Sequence, residues 1–262
     1  MREHARSVTH FRPCIDLHAG KVKQIVGGTL RDHGSGPVEN HVSEHPPEWF
    51  AERFQTYRLT GGHIIQLGPG NEHAARAALA AWPGGMQLGG GINPDNAATW
   101  LEAGASHVIV TSCLFDSSGH FLPEVLERLV SAVGREKLVI DLSCRRSERG
   151  WTVAMNRWQT LTNLDVTPAT LDQLAPFCAE FLIHAADVEG LQRGIDRDLV
   201  ALLGSWGKLP LTYAGGAATW DDLHAIDTLS HGKLDVTIGS ALDLFGGKGF
   251  TLAELIEWNG RK

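Results

Sequence analysis

Short apolar runs alternate along this chain with longer segments patterned for helices. The runs cover residues 11–17, 63–67, 86–89, 107–110, 137–141, 181–184, 209–213 and 235–238. Each has few polar breaks, as expected of parallel strands buried on both faces. The segments between them predict helices over 47–59, 72–81, 95–103, 122–133, 170–177, 197–206, 220–229 and 252–258. In the fourth of these, Leu122, Val125, Leu126, Leu129 and Val130 recur at helical spacing. Asn93-Pro94 marks the start of the third. Strands alternating with helices predict an α/β fold with a parallel sheet.

Repetition narrows the choice of sheet. Ile15-Asp16-Leu17 returns as Ile140-Asp141-Leu142, 125 residues later. Leu88-Gly89-Gly90-Gly91 is answered by Tyr213-Ala214-Gly215-Gly216, and Thr111-Ser112 by Gly239-Ser240. Matches in one order at a near-constant offset indicate a duplicated half. Two four-strand halves, about 8–133 and 134–262, complete a (β/α)8 TIM barrel. No low-complexity linker divides them, so a single domain over 1–262 is expected.

Two stretches exceed ordinary loop length, from His18 to about Glu44 and from Ser143 to about Pro168. Each follows one Ile-Asp-Leu copy, and loops after barrel strands form the catalytic face. The first offers Lys21, Lys23, Gln24 and Gly27-Gly28-Thr29; the second offers Arg145, Arg146, Trp151, Asn156, Arg157 and Trp158.

Composition excludes several classes. A net charge of −7, with no long Lys/Arg run, argues against a nucleic-acid surface. No apolar run approaches membrane-spanning length, and no hydrophobic signal follows Met1. Cys14, Cys113, Cys144 and Cys178 form no C-x-x-C pair, so free thiols in a reducing cytoplasm are expected. His18, His63, His107, His120, His184 and His231 show no ligand spacing, and His41/His45 lacks the Glu of H-E-x-x-H, so no metal is expected.

Asp16 and Asp141 carry the candidate chemistry. An acid inside an apolar strand is costly unless it lies at the mouth or is paired. Two such acids facing one another could act as base and acid if their environments push their pKa values apart. The alternative is that they cap loops or pair with Lys21, Lys23 or Arg145. The turns bearing Gly90, Gly91, Gly215 and Gly216, with Thr111, Ser112, Gly239 and Ser240, precede helices. Backbone N–H groups there could bind two anions at opposite sides of the mouth. His184 and one of Asp187 or Glu189 are candidate substrate contacts, Trp158 a stacking residue, and Arg145-Arg146 a phosphate contact or a solvated pair.

The segments Cys14-Ile15-Asp16-Leu17-His18-Ala19-Gly20-Lys21-Val22-Lys23-Gln24, Val153-Ala154-Met155-Asn156-Arg157-Trp158 and His184-Ala185-Ala186-Asp187-Val188-Glu189-Gly190 resemble the eukaryotic-type ProFAR isomerases of histidine biosynthesis. Ser230-His231-Gly232-Lys233 and Asp243-Leu244-Phe245-Gly246-Gly247 resemble them too. The resemblance implies a (β/α)8 barrel and an Amadori rearrangement of a ligand with a phosphate at each end. It implies Asp16 as general base, Asp141 as general acid and Trp158 as a stacking residue, with no cofactor and no obligate protein partner. Three departures from the bacterial pattern stand out: Ile65-Gln66-Leu67-Gly68-Pro69 lacks the usual acids, Glu189-Gly190-Leu191 in a shortened loop replaces the usual Asp-Gly-Thr, and Ala185 stands where a supporting threonine is expected. Other readings are the sister cyclase barrel of imidazole glycerol phosphate synthase, a non-catalytic phosphosugar-binding barrel, and an isomerase that also accepts phosphoribosylanthranilate.

Overall fold

All eight expected strands form in the computed structural model, which describes residues 8–25 and 39–261. The first is interrupted at Pro13, giving β1 (Phe11–Arg12) and β2 (Cys14–His18), because proline has no N–H for the ladder. The others are β5 (His63–Gln66), β6 (Gln87–Gly89), β7 (Val108–Val110), β8 (Leu138–Asp141), β12 (Glu180–His184), β13 (Leu211–Ala214) and β14 (Leu234–Thr237). They pair in parallel, each with its neighbour in this series. β14 then pairs with β1, which closes the barrel.

Helices follow the strands: α1 (Pro47–Thr56), α2 (Glu72–Ala81), α3 (Ala97–Glu102), α4 (Pro123–Val133), α5 (Pro168–Leu174), α6 (Arg197–Trp206), α7 (Trp220–Ser230) and α8 (Leu252–Asn259). α1 stops short of its expected end, where Arg58 turns to φ +53°. α5 starts earlier than expected, with Thr167 accepting from the Thr170 N–H and Pro168 in the first turn.

The two long segments are not structureless loops. β3 (Lys21–Ile25) runs antiparallel to β2 and pairs with β4 (Glu39–Val42). The later segment folds into an antiparallel sheet of β9 (Cys144–Ser147), β10 (Gly150–Met155) and β11 (Thr160–Asp165). Their strands mix polar and apolar positions, as in Lys21-Val22-Lys23-Gln24-Ile25, because one face meets solvent. A search for wholly apolar runs passes over them. Gly27, Gly28 and Thr29 lie outside the described residues.

Strand period two sorts the barrel interior into levels. On β12, Glu180, Leu182 and His184 point inward in succession. Glu180 joins a polar layer at the N-terminal end of the strands: Arg12 Nη1 donates to it at 2.8 Å, Gln87 at 3.0 Å and Thr212 at 2.7 Å. Arg12 Nε also donates to Asp235 at 2.6 Å. Leu182 joins Ile65, Ile109, Val139 and Ala214 in a small apolar plug. His184 sits above the plug, at the mouth. The larger core lies between the strands and the ring of helices.

Candidate active site

The mouth of the barrel holds a cavity of about 550 Å³, in the range of small-molecule sites. Asp16 lies within β2, two residues before its end, Asp141 ends β8, and both line it. Gly90, Gly91, Thr111 and Ser112 line one side, with Asn156, Arg157 and Trp158 from the tip between β10 and β11. A smaller adjoining pocket is lined by Gly215, Gly216, Gly239 and Ser240. Asp16, His184 and Glu189 line both, so they lie between the two glycine-turn regions.

The two aspartates come from one repeated tripeptide but have different partners. Neither pairs with the lysines or arginines considered above. Gln24 on β3 donates to Asp16 Oδ2 at 3.0 Å. Burial, then the nearby charge of Glu189, raises the Asp16 carboxyl to about 7, against the opposing pull of His184 and Gln24. The Ser143 hydroxyl lies 2.9 and 3.0 Å from the two oxygens of Asp141, with one hydrogen to share between them. His184 Nδ1 stands 3.5 Å from Asp141 Oδ1. Burial works against a charged His184, but Asp141, Glu189 and Asp16 outweigh it and raise the imidazole to about 9. Beneath it, burial and the field of His184 push His63 down to about 3. Burial also raises Glu189.

Several candidates take other places. Arg145 lies outside both cavity linings, half-exposed and bonded to Asp187 at 2.8 Å. Asp187 also accepts from the Arg146 N–H, so Glu189 is the acid of that loop at the mouth. Ala185 gives its N–H to the Ala214 carbonyl and packs beside Gly215; the inward residue at the end of β12 is His184. Lys23 contacts Glu39 and His18. His45 stacks on Trp49 rather than meeting His41.

The glycine turns are tight for backbone reasons. At Gly90 φ is +91°, and a Cβ would fall 2.2 Å from the Gln66 carbonyl oxygen. At Gly216 φ is +76°, and a Cβ would fall 2.1 Å from the Gly194 oxygen. No residue but glycine fits there. The following helix starts are not open anion sites, however. The Ala218 and Thr219 N–H groups of α7 are bonded to Asp222 Oδ2, and Asn93 N–H ahead of α3 is bonded to Asn96.

Three further neighbours surround the acids: Ser143, two residues beyond Asp141 in the chain, and Gln24 and His63, which β pairing brings in. Among the described residues, ligating atoms of Cys14, Asp16 and His63 come within 4.8 Å of one another. The Gln24 amide donates to the first two.

The family described as "Histidine biosynthesis protein" matches residues 11–248. The chain belongs to this family. A Neurospora crassa relative is 55% identical over 97% of this chain and all of its own length. A Saccharomyces cerevisiae relative is 49% identical over 97% of this chain and all of its own length. Both bear the name 1-(5-phosphoribosyl)-5-((5-phosphoribosylamino)methylideneamino)imidazole-4-carboxamide isomerase. A Medicago truncatula relative with that name, marked chloroplastic, is 46% identical over 96% of this chain and 82% of its own. In this member of the histidine-biosynthesis family, no described helix is long and apolar enough to cross a membrane.

Proposed function

We propose that this chain is the isomerase that converts ProFAR, N′-((5′-phosphoribosyl)formimino)-5-aminoimidazole-4-carboxamide ribonucleotide, to its phosphoribulosyl isomer. The observation that carries this reading is the placement of Asp16, His184 and Glu189 between two glycine-lined regions of one mouth. A substrate with a phosphate at each end and reacting carbons in the middle matches that layout. The relatives' printed name supports the same reaction.

One phosphate would lie by Gly90, Gly91, Thr111, Ser112 and Arg157, the other by Gly215, Gly216, Gly239 and Ser240. Trp158, whose ring is 5.9 Å from that of His184, would stack on the central heterocycle. Asp141, as general acid, protonates the ring oxygen, which opens the furanose and leaves a Schiff base. Asp16 then removes the C2 proton to give an enolamine, and tautomerisation gives the ketose. A base near 7 balances ionised fraction against basicity at neutral pH. No cofactor or partner protein enters these steps. Buried free thiols at Cys14, Cys144 and Cys178 support a reducing compartment such as the cytoplasm.

The test is turnover of ProFAR by the purified chain without ammonia or a glutaminase partner. Asp16→Asn and Asp141→Asn should each lower kcat by at least about 10²-fold, the scale of a lost acid or base. A folded wild type that leaves ProFAR unchanged would refute the reading. Turnover of the phosphoribulosyl compound with ammonia would favour the cyclase instead.

A further inference from the structure

We infer that the floor of the smaller pocket is a binding site for a borderline-soft divalent cation, Zn²⁺ above all, with Cys14, Asp16 and His63 as its ligands, and that filling it stops turnover by occupying Asp16. The site stands on the geometry of the barrel; its effect on turnover rests on the isomerase reading.

Strand pairing builds the ligand set. Side chains two apart on a strand share a face, so Cys14 and Asp16 point from β2 to one side. β5 lies parallel beside β2, with His63 opposite Cys14 in register. All three line the same pocket, and one ligating atom from each lies within 4.8 Å of the other two. Zn²⁺ bonds of about 2.0–2.3 Å set tetrahedral ligands about 3.3–3.6 Å apart, so the three atoms draw in by at most about 1.5 Å. His63 is remote from Cys14-Ile15-Asp16 along the chain and meets it only across two strands.

The pocket holds unused polar groups. Its volume is about 30 Å³, room for an ion with one or two waters. The His63 ring is 2% exposed, and among the described residues it takes part in no hydrogen bond. The Thr237 hydroxyl, on the lining of the same pocket, is buried without a partner. Buried polar groups are nearly always bonded, so two orphans on one small pocket point to something bound there. The imidazole ligates the ion. The hydroxyl is then a partner for a water in the fourth position, which three-ligand zinc sites keep open. Gln24 Nε2 donates to Asp16 Oδ2 at 3.0 Å and to Cys14 Sγ at 3.9 Å, the kind of outer donor that orients anionic ligands.

Ligand chemistry selects the ion. Thiolate and imidazole suit Zn²⁺, whereas Mg²⁺ and Ca²⁺ take oxygen shells. On binding, Cys14 gives its thiol proton to solvent. The thiolate and the Asp16 carboxylate then balance the two charges of the ion, as burial requires. His184 and Glu189 also border the pocket; the charge of the first opposes a cation and that of the second favours one. A carboxylate held by the ion cannot take the C2 proton, so turnover stops.

The experiment titrates the EDTA-stripped full chain with Co²⁺, a spectroscopic stand-in, and with Zn²⁺ by calorimetry. Wild type should bind one ion with a thiolate-to-cobalt charge-transfer band that Zn²⁺ abolishes and Mg²⁺ does not. The band should vanish in Cys14→Ala and persist in Cys113→Ala, whose thiol lines the larger cavity. His63→Gln should weaken Zn²⁺ binding by at least about 100-fold, since losing an outer partner of a metal ligand already costs about 10–100-fold. In ProFAR turnover, Zn²⁺ should inhibit wild type and EDTA should restore the rate. The inhibitory concentration should rise at least about tenfold in Cys14→Ala, measured against that variant's own metal-free rate. Absence of the band in wild type, which needs no variant to fold, would overturn the site, as would a band that survives Cys14→Ala. Binding with the rate intact would overturn the inhibition. If wild type turns over no ProFAR, the isomerase reading falls, and the cobalt spectrum still decides the site.

Discussion

Asp16 and Asp141 occupy equivalent places in the two halves, yet each has its own electrostatic surroundings. Asp16 has one amide donor and the charge of Glu189 nearby. Asp141 has a hydroxyl on both oxygens and an imidazole beside it. A carboxyl raised to about 7 in the folded state contributes stability that is full below its unfolded pKa, near 4, and lost as pH rises through 7. Asp16→Asn should therefore be more stable than wild type at pH 8, by at least about 1 kcal/mol, since one pKa unit is about 1.4. The gain should shrink towards pH 4. Urea unfolding midpoints at the two pH values would check it, and equal differences at both would show that Asp16 is not strained by its charge.

At the scale of elements, the short antiparallel sheet does what the barrel strands cannot. Its turn places Asn156, Arg157 and Trp158 over the mouth, all three with positive φ, at 52°, 55° and 64°. Non-glycine residues adopt this conformation at a cost, and a run of three is held only by its surroundings. The Asn156 N–H donates to Ser112 Oγ, joining the turn to the segment just after β7. If Arg157 meets a substrate phosphate there, Arg157→Ala should raise KM by about tenfold or more, since a hydrogen bond to a charged group contributes about 1.5–3 kcal/mol. Steady-state kinetics decide it; a KM within twofold of wild type would move the phosphate elsewhere.

Across the whole molecule, the barrel separates chemistry from closure. The mouth carries the acids, the apolar plug of Ile65, Ile109, Val139, Leu182 and Ala214 seals the middle, and Arg12 ties Glu180 to Asp235 at the other end. Arg12 bridges β1 to β12 and β14, on the strand that closes the barrel. Removing it leaves two largely buried carboxylates without their cation. Arg12→Ala should cost about 3–5 kcal/mol of stability, the usual result of breaking a buried pair. Chemical denaturation would measure the loss, and a cost under 1 kcal/mol would show that water takes the place of the guanidinium.

The order of strands and helices was legible in the sequence because parallel strands buried on both faces write themselves as apolar runs. The repeat located both acids and both glycine turns, since duplication keeps residues at equivalent strand ends. The strands of the two long segments were not legible: their pattern is half polar, and nothing local distinguishes it from a loop. Arg145 looked like a phosphate contact by its neighbours in sequence, but its strand faces Asp187. His63 gained its place, and Gln24 its partner, only from pairings that join separate segments around Asp16, whereas Ser143 reaches Asp141 from two residues away. The sequence alone determined a doubled barrel with two opposed carboxylates. Tertiary structure decided how they differ, because a pKa depends on which charges, donors and apolar walls surround a group, and these come from residues far apart along the chain.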